Sequence, residues 1–159
     1  MSPDLGSDSR FEPAATSVDD VKGWLRQARR HVRSARVLTE VDDEDPDVEQ
    51  IIDACHAAVR KALAAHMNAA GVRLASGTDA HHRVTIEYGE TYIAEVPPEL
   101  WRQVRALRKA RNDADYTNPT RYRLTARDAS AAVELAEVVI TKVGGSVKSL
   151  LETDDRPRH

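Results

Sequence analysis

Aromatic side chains are scarce in this chain. Trp, Tyr and Phe together make up 4% of 159 residues. The core must therefore be built from Ala, Val, Leu and Ile, a composition that favours closely packed helices over sheets. Cysteine is scarcer still, and Cys55 stands alone. That excludes an intrachain disulfide and a multi-cysteine zinc site, and it fits a reducing, cytoplasmic setting. No apolar run approaches the roughly 18 residues that a membrane span needs. The first 20 residues carry Asp4, Asp8, Glu12, Asp19 and Asp20 against Arg10 alone, without the apolar stretch of a secretory signal.

Lysine is also in short supply. Of 23 basic residues only five are lysine, which leaves 18 arginines. The formal net charge of −3 hides a blocky distribution: residues 21–41 sum to +5 and 95–127 to +4, while 42–53 sum to −7. The positive blocks suit a polyanion, and they equally suit solvated helix faces. The sequence pI of about 6.1 is low for a dedicated DNA binder.

The pattern predicts one domain over 17–152, between a disordered tail at 1–16 and a second tail at 153–159. Helix 1 follows the Ser17 cap, with Val21, Leu25, Ala28, Val32 and Ala35 as its apolar stripe and Arg26, Arg29, Arg33 and Arg36 as a basic ridge. Helix 2 spans about 46–70 and ends at Gly71. A turn over 76–79, with Asp79 as N-cap, leads to a short helix over 80–92; its Val, Thr and Ile also suit a strand. Pro97 and Pro98 open a helix that runs to about Tyr116. The last helix starts at Thr125 with Asp128 three residues on, and Gly144-Gly145 is expected to kink it. Four long amphipathic helices and one short one predict an all-α up-and-down bundle.

The informative stretch is 101–116, WRQVRALRKARNDADY. Its apolar spacing runs through Leu100, Val104 and Leu107 and then reaches Arg111. An arginine on an inward stripe is costly unless it is paired or lines a wet pocket or interface. Asp115 lies one turn on and can pair with it, which is the plain structural explanation. Asn112 and Tyr116 are also one turn apart, so Arg, Asn, Asp and Tyr project from one helical end.

RNDADY at the end of this helix resembles the signature of the HEPN superfamily, the higher eukaryotes and prokaryotes nucleotide-binding domains. A second block, DACHAAVRKALAAHMNAAGVR at 53–73 followed by GTDAHHRVTIEY at 77–88, is similar to an actinobacterial-type subgroup. The resemblance covers about 18–152 and implies a helical bundle that dimerises with its signature helices facing each other. In nuclease members it implies a metal-independent ribonuclease site built from an Arg, an adjacent polar residue and a His. By position these are Arg111, Asn112 and Tyr116, so a tyrosine stands where the imidazole is expected, and no His lies between 83 and 158. A tyrosine of ordinary pKa, about 10, is a poor general base. The resemblance thus implies a degenerate nuclease motif that binds RNA, a nucleotide or a partner protein through Arg108, Arg111, Asn112 and Asp115, with His81 and His82 as further candidates.

His81 or His82 would supply the missing imidazole if the fold brought it to Arg111. Adjacent on a helix, the two point about 100° apart and do not readily share a metal. His56 and Arg60 flank the apolar stripe of helix 2, and His66 lies on its apolar face. Cys55 reads as a small buried hydrophobe. There is no Gly-rich phosphate loop, Ser/His/Asp order or HExxH, and no cofactor or metal is expected. Three readings stand: a binding module, probing RNA or a partner as a homodimer; an active toxin-type ribonuclease using Arg111, Asn112 and Tyr116 or an imported histidine; and a plain interaction bundle.

Overall fold

The computed structural model describes residues 5, 7–41, 44–115 and 124–154, with the backbone alone at 113–115. Five helices carry the fold: α1 (Val18–Val41), α2 (Val48–Ala69), α3 (His81–Tyr92), α4 (Pro98–Asp115) and α5 (Ala126–Asp154). A two-stranded antiparallel sheet pairs β1 (Phe11–Pro13) with β2 (Val72–Leu74). The chain is all-α in class, and the third helical segment, which also suited a strand, is a helix over residues 81–92.

Local chemistry sets the helix ends. The Ser17 hydroxyl accepts from the Asp20 amide at 3.2 Å, and the Asp47 carboxylate accepts from the Gln50 amide at 3.1 Å. Thr125 and Asp128 form a reciprocal cap: the Asp128 carboxylate accepts from the Thr125 amide at 2.6 Å and the Thr125 hydroxyl from the Asp128 amide at 3.2 Å. Gly71 takes φ of +74° just past the end of α2, a left-handed turn that favours glycine.

The core is aliphatic, as the shortage of aromatics requires. The α1 stripe Val21, Leu25, Ala28, Val32 and Ala35 is buried throughout. It packs along α2 and α5, and α2 also carries α3 and α4 on its far side. As the central element, α2 buries eleven residues, His56 and His66 among them. The closest approach of α3 and α4 depends on Gly89, where a Cβ would overlap the indole of the buried Trp101.

Two expectations change. Residues 11–13, assigned to a disordered tail, form β1 in register with β2, Phe11 opposite Leu74. Phe11 is buried 5.7 Å from the ring of Tyr88, and Arg10 pairs with Asp8 and with Glu87 of α3. A three-residue strand whose partner lies 60 residues away leaves no local periodicity to read. The N-cap of α3 is Ala80, at φ of +52° and without a side-chain cap, in place of Asp79. The Thr78 hydroxyl instead bonds the Ala75 carbonyl at 2.8 Å, so the turn belongs to the sheet. Separately, α5 continues through Gly144-Gly145 as one helix of 29 residues, packed on α1 and α2, although each glycine subtracts roughly 1 kcal/mol from helix propensity. The free Cys55 is buried, and its surroundings push its thiol up to about 12.

Candidate functional site

Three helices bring their basic residues to one place. Helix α2 contributes His56 and Arg60, α3 contributes His82, and α4 contributes Arg108 and Arg111. His56 and Arg60 lie one turn apart on α2, as Arg108 and Arg111 do on α4, so each pair shares a helical face. The packing of α3 and α4 on α2 then sets the two faces and His82 side by side.

His56 is the inner member, with 2% of its surface exposed. Its ring lies 5.4 Å from that of His82 at a 45° tilt. Burial pushes its pKa down to about 3, and the positive charge of His82, Arg111 and Arg60 adds to the effect. His82 is also lowered, first by burial and then by Arg60, Arg111 and Arg108. Burial likewise lowers Arg60, and the charge of Arg111 adds to the effect while Asp53 opposes it. The groups therefore destabilise one another's charged forms, the mark of a crowded cationic site.

Against these stands Asp53 on α2. Its carboxylate accepts a hydrogen bond from Arg111 Nε at 2.8 Å, joining α4 to α2. The carboxylate is 60% exposed and the Arg111 side chain 26%, so the pair opens to solvent on the acid's side. Three buried side-chain nitrogens have no hydrogen-bond partner among the described residues: His56 Nε2 and Arg108 Nε in this cluster, and Trp101 Nε1 in the core. Buried polar atoms are nearly always satisfied in folded proteins, and unsatisfied ones mark strain, function or an absent ligand.

The residues singled out in the sequence divide into three groups. Arg108, Arg111 and His82 meet. Asn112 is half-buried next to Arg111 on α4, while His81 is exposed and lines an adjacent cleft. Tyr116 and the side chain of Asp115 lie outside the described residues, so the expected Arg111–Asp115 pair is not described; the pair seen is Arg111–Asp53. Sequence reasoning missed the site roles of His56, Arg60 and Asp53. The signal was the i, i+3, i+7 spacing of Asp53, His56 and Arg60, which puts them on one side of α2.

Among the described residues no group of three or more His, Cys, Asp or Glu could hold a metal ion. None of their helices is long and apolar enough to cross a membrane. The site is basic, partly dry and rich in N–H donors, and the chemistry it matches is that of an anion with several acceptor oxygens.

The HEPN domain matches residues 21–147, and the chain belongs to that family. No curated protein matches it. The matched span contains all five residues of the basic cluster and excludes β1.

Proposed function

We propose that this HEPN domain is a binding module for phosphate-bearing ligands, RNA first among them. Arg60, Arg108 and Arg111 supply the charge, and His56 and His82 form a wall of imidazoles beside it. One observation carries the reading. Three guanidinium groups and two imidazoles converge, and two of their buried nitrogens have no hydrogen-bond partner among the described residues. Phosphate oxygens are acceptors suited to such N–H groups.

In this reading the nuclease motif is degenerate: Arg111 and Asn112 are kept and Tyr116 replaces the histidine. The domain acts as a homodimer through α4, so that two basic clusters border one groove. No metal or cofactor takes part. Binding strengthens as pH falls from 7 towards 5.5, because an anion favours the protonated form of His82, the less buried of the two imidazoles.

The test is a titration of labelled single-stranded RNA at several salt concentrations. Arg108→Ala/Arg111→Ala should weaken binding at least tenfold and flatten the log–log salt dependence by about one to two units. Unchanged binding would leave a plain interaction bundle. A second reading has its own observation: Arg111 is close enough to His82 to depress its pKa, so α3 offers an imidazole to the signature arginine. A ribonuclease of this kind would cleave RNA in the presence of a chelator and lose that activity in both Arg111→Ala and His82→Gln.

A further inference from the structure

Helix α1 has a face that no described element covers. Its buried stripe packs on α2 and α5. On the opposite side Arg26, Arg30, Arg33, Val37 and Val41 follow at spacings of four, three, four and four, so they share one face, and all five are exposed. Val37 is 51% and Val41 75% exposed. A single exposed valine is ordinary, but two of them one turn apart, between charges of opposite sign, form a patch.

The charge along this face is divided. Its N-terminal half is basic. Arg36, at its flank, is neutralised by Glu137, whose carboxylate accepts from Nε and Nη2 at 2.8 Å each. Arg26, Arg30 and Arg33 pair with no carboxylate among the described residues. Beyond Val37 the chain turns acidic. Glu40, Glu44 and Asp45 are exposed, and residues 42–53 sum to −7 against +5 for 21–41.

We infer that this face binds a second copy of the chain, α1 against α1, antiparallel about a two-fold axis at Val37. A two-fold contact uses one patch on both copies, so the patch must be complementary to itself. This one is. Arg30 and Glu44 stand seven positions to either side of Val37, and Arg33 and Glu40 stand four and three. An antiparallel second α1 therefore sets Arg33 beside the partner's Glu40 and Arg30 towards the partner's Glu44, twice over by symmetry. The valines meet at the centre, where interfaces are apolar, and the charges form the rim. A parallel arrangement would set arginines against arginines. The valines, and the carboxylates of Glu40, Glu134 and Glu137 close to Arg36, distinguish this face from a phosphate track. The contact is also separate from the pairing through α4, because α4 lies on the far side of α2. It is independent of the phosphate site.

The experiment starts with Val37→Cys in the full chain. Cys55 is buried and its thiol is pushed up to about 12, so the introduced thiol is the reactive one. Mild oxidation should join two copies at position 37 much faster than at Val138→Cys, an exposed site on α5. Sedimentation of the unmodified chain should show an association that weakens roughly tenfold or more between about 50 mM and about 0.5 M salt. Arg30→Glu/Arg33→Glu and Glu40→Lys/Glu44→Lys should each abolish that association, and their equimolar mixture should restore it. Arg108→Ala/Arg111→Ala should leave the cross-linking at position 37 unchanged, which keeps this contact apart from the phosphate site. Equal cross-linking at 37 and 138 would overturn the inference. So would loss of association in both charge variants without recovery on mixing. Association unchanged in Arg30→Glu/Arg33→Glu, with RNA binding lost, would overturn it in favour of a phosphate track.

Discussion

Two histidines on α2, ten residues apart, are buried to the same degree and are used in opposite ways. His56 and His66 each expose 2% of their surface. His66 has both ring nitrogens partnered, Nδ1 with the Tyr88 hydroxyl at 2.8 Å and Nε2 with the Ser146 hydroxyl at 2.9 Å. It ties α2 to α3 and α5 through the middle of the core. His56 leaves Nε2 without a hydrogen-bond partner among the described residues and faces His82 and arginines. Burial depresses both pKa values, to about 4 for His66 and about 3 for His56. The difference lies in the neighbours. Hydroxyls complete the neutral imidazole of His66, whereas an imidazole and guanidinium groups crowd that of His56. Burial alone therefore does not separate the two histidines, whereas their hydrogen-bond partners do.

The largest expected effect is at the fully partnered histidine. His66→Leu leaves the buried hydroxyls of Tyr88 and Ser146 without their shared partner and should destabilise the fold by about 3 kcal/mol. Chemical denaturation measures it, and phosphate binding by the folded fraction should be unaffected. A loss below about 1 kcal/mol would break the contrast from this side.

Acid is the next largest perturbation. A histidine whose folded pKa lies below its unfolded value near 6.5 binds protons more readily in the unfolded chain. Its stabilising contribution is therefore complete above pH 6.5 and is lost as pH falls towards the folded values of about 4 and 3. Each of the two should remove about 2 kcal/mol by pH 5. Stability measured from pH 7 to 5 should fall with a slope near two protons, and His56→Leu should halve it. Saturating phosphate should oppose the His56 part and spare the His66 part.

Smaller effects sharpen the comparison. Ser146→Ala removes one of the two hydroxyls and should cost about 1–2 kcal/mol. His56→Leu should change stability at pH 7 by less than about 1 kcal/mol in either direction, because it replaces an unsatisfied polar ring by an apolar group. The same substitution should weaken RNA binding severalfold. The Arg36–Glu137 bridge between α1 and α5, half-exposed on both sides, sets the lower limit: Arg36→Ala should lose about 0.5 kcal/mol at most.

How much of this was legible in the sequence follows from what each feature depends on. The α1 stripe, the Thr125–Asp128 cap and the proline start of α4 rest on spacing within one segment, and they appear as the spacing predicts. Arg111 was legible as an anomaly, a charge on an apolar stripe, but its pairing with Asp53 was not, because Asp53 is 58 residues away; the expected pair with Asp115 lies outside the described residues. His56 and Arg60 were visible as a pair on α2; their convergence with His82 and Arg108 depends on how three helices pack. β1 was illegible for the same reason, since three residues acquire a strand conformation only through a remote partner. At Gly144-Gly145 two weak helix formers do not end α5, because packing along its whole length sustains it.

The most direct test follows the ring nitrogens of His56, His66 and His82 by NMR through a pH titration, with and without inorganic phosphate. The account predicts that phosphate raises the pKa of His56 and His82 by a unit or more and leaves His66 where it was. Identical titrations of all three with and without phosphate would contradict it.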